Sequence, residues 1–273
     1  MRIKILMMFK NEDQLLGPWI RYHKSIVGPD NLVVFDNGST STETLREIRQ
    51  AEDSGIMVDR SRNSTSDFVA KGNIFSEVIK NFDSTDPADF YFPLDCDEFL
   101  AIDDNGVVKA DRISILHELE KYKNATYPLA IGSGLDNSAI DIGRFRWARK
   151  QRKTFFAGGA CRKLDHGFHS GESITGECAR QTNVVYIHFH YKPINVLHAH
   201  SVAKLRPFTD DFSRSALVKY VEEKRSGYHC AAHLLVNEDE YSRMFDHRDY
   251  IEIPEVELIF SALGENIPFQ KKI

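Results

Sequence analysis

Three carboxylates fall within four residues, Asp95, Asp97 and Glu98, inside the aromatic and aliphatic run "DFYFPLDCDEFLAI" (residues 89–102). Charges at the end of a buried strand are costly unless something pairs them, and clustered carboxylates are most readily paired by a cation. On an extended chain, alternation sets Asp95 and Asp97 on one side and turns Cys96 into the core. Two hard oxygen donors facing one point, with room for phosphate oxygens, suit Mg²⁺ or Mn²⁺ holding a diphosphate. A lone Asp-x-Asp is more often a helix cap or a solvated loop. The reading therefore depends on what the surrounding elements place beside it.

The first hundred residues alternate between strands and helices. "RIKILMMF" is a β-type run. In "NEDQLLGPWIRYHKSIVG", Leu15, Leu16, Trp19, Ile20, His23, Ile26 and Val27 recur at helical spacing, with Asn11 as the N-cap and Gly28 as the stop. "NLVVFD" and "GIMVDR" are further strands, separated by the turn and helix of "NGSTSTETLREIRQAED". "TSDFVAKGNIFSEVIKNF" is a helix and "DFYFPLD" the fourth strand. Strands about thirty residues apart with helices between them specify βαβ units and a parallel sheet covered on both faces. Ligands of such sheets bind at the carboxyl ends of the strands. Each of those ends is polar here: Lys10-Asn11-Glu12, Asp36-Asn37-Gly38-Ser39, Asp59-Arg60 and Asp95-Cys96-Asp97.

Most of these residues also have a structural reading. Asn37-Gly38 makes a tight turn with Ser39 or Thr40 capping the next helix, while Asp36 is placed to accept from a base or ribose. Glu12 suits a helix N-terminus. Lys71, Arg60 and Arg62 read as solvated surface charges by default, and their placement beside the expected diphosphate makes one of them a candidate phosphate contact. Beyond residue 103 the pattern loosens. "RISILHELEKY" is a helix, "TYPLAIGSGL" and "NVVYIHFHYKP" are strand-like, and residues 204–273 are mainly helical. "RFRWARKQRK" reads as a solvated basic loop, or as a contact for an anionic acceptor or membrane surface.

With 273 residues, 42% of them hydrophobic, the chain can bury a sizeable core. A net charge of -5 argues against nucleic acid as a partner. Four widely spaced cysteines without a CxxC pair read as reduced thiols in a cytoplasmic protein. No segment approaches the roughly 20 apolar residues of a membrane span. A lipid-linked substrate would therefore be met peripherally, at the inner face of the membrane.

"MMFKNEDQLLGPWIRYHKSIVGPDNLVVFDNGST" followed by "YFPLDCDEFL" resembles a family 2-type glycosyltransferase. The branch it resembles has an N-E-x-x-x-L-x-x-W-x-x-Y-H opening and a D-x-D-E-F motif, and is similar also to the family 92 enzymes. The resemblance covers residues 3–103 and continues faintly through "HFHYKP", where His188 matches the branch's histidine. It implies a GT-A-like α/β fold, a mostly parallel sheet flanked by helices, which the strand–helix rhythm extends over residues 1–203, while the helical pattern beyond makes 204–273 a helical C-terminal appendage. It also implies a nucleoside diphosphate sugar donor, Mn²⁺ or Mg²⁺ bridging Asp95, Asp97 and the diphosphate, and nucleotide contacts from Asn11, Glu12 and Asp36. The acceptor would be a glycan or lipid-linked glycan, as in surface polysaccharide synthesis, with UDP favoured as the commoner donor nucleotide. Two departures stand out: Ser41 occupies the place of an acid, and Pro193 follows Lys192 where the branch has serine.

His188 is read equally as a metal ligand or a satisfied strand histidine, with His190 in reserve on the same face. The resemblance suggests inversion, which requires one general base placed after Asp97. Asp136 at a strand end and Glu172 on a glycine-flanked loop stand level, with His169 third. Asp136 equally reads as a turn cap with Asn137-Ser138. Two rival readings are a catalytically inactive glycan- or nucleotide-binding protein and a nucleotidyltransferase. The latter would carry a Gly-rich basic loop after the first strand, which "FKNEDQ" lacks.

Overall fold

The computed structural model describes residues 1–149, 153–246 and 249–269. The uninterrupted apolar run of β1 (Ile3–Phe9) is buried along its whole length, as a strand with neighbours on both edges and layers on both faces must be. It is followed by α1 (Leu16–Val27), β2 (Leu32–Asp36), α2 (Thr42–Asp53), β3 (Met57–Asp59), α3 (Thr65–Val69), α4 (Lys71–Thr85) and β4 (Phe90–Pro93). β1 pairs in parallel with both β2 and β4, and β2 in parallel with β3. Asp36 and Asp95 therefore leave the same edge of the sheet on either side of β1.

The run 89–102 is two strands, not one. β4 ends at Pro93, which has no N–H to continue a ladder. The chain then turns, with Glu98 N donating to Asp95 O at 3.1 Å. β5 (Glu98–Asp104) and β6 (Val107–Lys109) belong to a second sheet. Past α5 (Arg112–Glu120), "TYPLAIGSGL" likewise divides, into β7 (Leu129–Ile131) of the first sheet and β8 (Gly134–Asn137) of the second. There follow β9 (Arg144–Ala148), β10 (Lys153–Ala157), the β11 (Cys161–Leu164) and β12 (Gly171–Ser173) hairpin, β13 (Arg180–Gln181) and β14 (Val184–His188). The remaining elements are α6 (Ile194–Leu205), α7 (Arg214–Glu222), α8 (Tyr228–Leu235), α9 (Glu238–Arg243), β15 (Ile251–Glu252) and α10 (Pro254–Ala262).

The first sheet runs β13-β7-β10-β4-β1-β2-β3 and the second β15-β9-β8-β14-β5-β6. The architecture is thus mixed α/β: a large sheet with a parallel half, flanked by helices, and a second sheet of mostly antiparallel pairs that periodicity did not reveal. Among the described residues no helix is long and apolar enough to cross a membrane.

α1 starts at Leu16, later than expected, because Asn11 takes a left-handed backbone (φ 53) and the chain turns before the helix begins. Gly28 ends it as expected, at φ 82. Three α1 side chains satisfy backbone groups of β5 ahead of its pairing with β6. Trp19 Nε1 donates to Glu98 O (2.8 Å), Tyr22 OH donates to Leu100 O (2.6 Å), and Leu100 N donates to His23 Nε2 (3.2 Å). His23 Nδ1 donates to Trp19 O, so the buried ring is held neutral, and burial pushes its pKa down from 6.5 to about 3.

That shift has a sign. Between those pH values the unfolded chain takes up a proton that the native state refuses, so stability falls as pH drops below about 6.5, by up to ~1.4 kcal/mol per pH unit. Denaturant melts at about pH 7 and about pH 5 should show this loss, and a His23→Gln variant should lack that part of it. An identical pH dependence in the variant would contradict the account.

Candidate functional site

The turn joining the two sheets carries Asp97 to the end of β14. β14 pairs antiparallel with β5, placing His188 opposite Glu98, and parallel with β8, placing His188 beside Asp136. Phe189 N donates to Asp97 O at 2.8 Å, tying the turn to the strand end, and its buried side chain leaves His188 and His190 on the other face. Ligand-capable atoms of Asp97, His188 and His190 all lie within 4.8 Å of one another. His188 Nε2 is 3.7 Å from Asp97 Oδ2, and its Nδ1 is 3.1 Å from Asp136 Oδ1. Burial opposes a charge on His188, but Asp136 and Asp97 outweigh it and push its pKa up to about 10. Burial alone would raise Asp97; His188 and Lys192 reverse this and hold it well below the usual carboxylate range. Burial, aided by His188, pushes His190 down.

One carboxylate oxygen and two imidazole nitrogens form a donor set that fits Mn²⁺ and its neighbours in the first transition row better than Mg²⁺, which prefers oxygen alone. A carboxylate behind a ligating histidine, as Asp136 stands behind His188, is the usual arrangement for fixing ring orientation and tautomer.

Asp95 lies outside this group. The turn breaks the alternation that would have set it beside Asp97, and its two oxygens take lysines instead: Lys71 Nζ on Oδ1 (2.7 Å) and Lys153 Nζ on Oδ2 (2.5 Å). Lys153 also reaches Glu98 Oε2 at 3.1 Å. Both ammonium groups lie over the Phe168 ring, at 4.6 and 4.9 Å. Burial works against the charge on Asp95, but Lys153 and Lys71 prevail and hold its pKa down to about 2. Burial prevails at Glu98, raising it in spite of Lys153. Neither lysine is the surface charge that composition suggested. Lys71 opens α4 and Lys153 opens β10, both buried. Residues 150–152 of the basic stretch lie outside the described residues.

Glu12 pairs with Lys192 (3.0 Å), which also meets His200 Nδ1 (3.2 Å). These three residues line a cleft of about 270 Å³ with Asp13, Asn195 and others. Asn11 does not cap α1. Its side-chain oxygen accepts from Thr40 N (2.8 Å) and Ser41 N (3.0 Å), ahead of α2. Asp36 Oδ1 accepts from Ser39 N (2.8 Å), and Asn37 Nδ2 donates to Arg62 O and Ser64 O (2.7 and 2.8 Å). These residues bind the strand-end loops to one another. Arg60 pairs with Glu52 at the outer strand.

The three general-base candidates are scattered. Asp136 lies within β8, not at its end, buried against His188 with Arg146 at 4.0 Å. Glu172 and His169 are exposed on the β11–β12 hairpin, outside the Asp97 group. Glu172 lines a separate cleft of about 440 Å³ with Lys163, Asp165, His166 and Asn73. Sequence reasoning missed Lys153 and Lys192 and ranked His190 only in reserve. The available signal was the alternation in "HFHYK", which sets His188, His190 and Lys192 on one face.

No family model matches the chain, and no curated protein matches it. Among solved structures, TarS of S. aureus is 10% identical at a TM-score of 0.40, over 77% of this chain and 40% of that one. A TarS 1-349 structure is 10% identical at a TM-score of 0.36, over 97% and 79% of the two chains. A cytidylyltransferase from Leptospira borgpetersenii serovar Hardjo-bovis is 13% identical at 0.35, over 84% and 97%. The chain thus spans 40% of the first TarS chain.

Proposed function

We propose that the protein is a divalent-metal-dependent GT-A glycosyltransferase. In this reading it moves a sugar from a nucleoside diphosphate sugar, UDP favoured, to a hydroxyl of a glycan or lipid-linked glycan. The observation that carries the reading is the Asp97–His188–His190 group, backed by Asp136. It sits where β4 leaves the parallel edge that β1 and β2 also leave, the edge at which such sheets bind ligands.

Asp97, His188 and His190 would hold the cation, whose charge when bound stabilises the leaving diphosphate. Asp136 keeps His188 oriented, an assignment that takes it out of contention as general base. The base then falls to Glu172 or His169, on a hairpin with room beside it for an acceptor. Asp95, held ionised by its lysines, and Glu12 present carboxylates to donor hydroxyls, while Asn11, Asp36 and Asn37 shape the loops around the nucleotide. Arg60 remains a candidate for phosphate contact, whereas Lys71 is buried against Asp95.

Incubation with Mn²⁺ and a panel of UDP-, GDP- and CDP-sugars should reveal metal-dependent release of nucleoside diphosphate from one donor. No turnover and no binding of any donor would overturn the proposal. Pyrophosphate release from a nucleoside triphosphate and a sugar phosphate would instead favour nucleotidyl transfer.

A further inference from the structure

One buried ammonium grips both ends of the turn that presents Asp97. β10 pairs antiparallel with β4, Phe156 opposite Tyr91 and Ala157 opposite Phe90, which brings Lys153 to the carboxyl edge of β4. There its Nζ lies 2.5 Å from Asp95 Oδ2 and 3.1 Å from Glu98 Oε2. Glu98 Oε2 closes the loop by accepting from Asp95 N at 2.8 Å. The side chains of Lys153 and Glu98 are 2% and 4% exposed, so neither charge has water to fall back on. Among the described acids Lys71 pairs with Asp95, at one end of the same turn.

We infer that Lys153 is a positioning residue for the cation site: it fixes the 95–98 turn and thereby the reach of Asp97 to His188 and His190. The inference rests on the cation reading of that group. Without the ammonium, Glu98 is a buried carboxylate that has lost its ion-pair partner, and Asp95 keeps only Lys71. Breaking a buried pair from one side is far more costly than never having made it. The turn loses the bridge between its two ends and opens, and Asp97, at its centre, moves with it. Lys71→Met removes a comparable buried charge but leaves the Lys153 bridge across the turn in place. It is therefore the control for a merely structural effect.

The test is the Mn²⁺ dissociation constant of the full chain and its variants, measured by electron paramagnetic resonance of free Mn²⁺, with circular dichroism as the check on folding. Lys153→Met should weaken Mn²⁺ binding by about 10-fold or more, the scale seen when outer partners of metal ligands are lost. Lys71→Met should bind within a few fold of the wild type. A folded Lys153→Met that binds like the wild type, or equal weakening in both variants, overturns the inference alone. If the wild type itself binds no Mn²⁺, the cation reading falls and this inference with it. Should Lys153→Met fail to fold, the double variant Lys153→Met/Glu98→Gln removes the stranded charge as well. It should fold and still bind Mn²⁺ weakly; wild-type affinity, or failure to fold, would mark Lys153 as structural and overturn the inference.

Discussion

Asp97→Asn is expected to lower Mn²⁺-dependent donor turnover by roughly 10²–10³-fold, the scale of losing one well-aimed electrostatic contact to a developing charge. Asp97 is the only carboxylate among the three clustered donors, so it is the one donor of the group that would bring a negative charge to the cation. Asparagine preserves the shape and one oxygen while removing that charge, which separates electrostatics from packing. The native ion pair with His188 is lost too, but His188 keeps Asp136 at 3.1 Å, so the strand end should stay in place. Steady-state donor hydrolysis at several Mn²⁺ concentrations is the measurement. A variant that turns over donor within a few fold of the wild type would remove Asp97 from the chemistry.

The second large effect concerns which cation serves. Two imidazoles and one carboxylate are a poor cage for Mg²⁺, a hard ion that keeps its waters and seeks octahedral oxygen. Mn²⁺ accepts mixed nitrogen and oxygen donors, and Co²⁺ and Zn²⁺ stand higher still for such sets. Mn²⁺ should therefore support turnover at concentrations roughly 10- to 100-fold below those at which Mg²⁺ does so, if Mg²⁺ does so at all. Equal half-saturation by the two ions would point to an all-oxygen site elsewhere in the crevice.

The parallel half of the first sheet was legible because strands buried on both faces read as unbroken apolar runs; β1 and β2 need no context to be seen. Their polar ends were read as a ligand site by the rule that such sheets bind ligands at the carboxyl ends of their strands. The second sheet was not legible as a sheet: β14 read as a strand, but β8 is short and two of the runs that feed the sheet are shared with the first. "DFYFPLDCDEFLAI" contains two strands in different sheets, and only the pairing partners of β4 and β5 reveal the break. That break decides the fate of the acids. Alternation put Asp95 beside Asp97, whereas the turn gives Asp95 to Lys71 and Lys153 and leaves Asp97 to the histidines. Lys153 illustrates the limit most clearly: its charge is balanced by residues 55 and 58 positions away, which no local pattern encodes. Pairing of that kind is a property of the folded arrangement of β4 and β10.

The most direct test of the account is electron spin-echo spectroscopy of the wild-type chain loaded with one equivalent of Mn²⁺. Two directly bound imidazole nitrogens should modulate the echo, one coupling disappearing in His188→Ala and the other in His190→Ala. Stoichiometric Mn²⁺ with no imidazole coupling, or couplings that survive both substitutions, would contradict the claim that Asp97, His188 and His190 hold the cation.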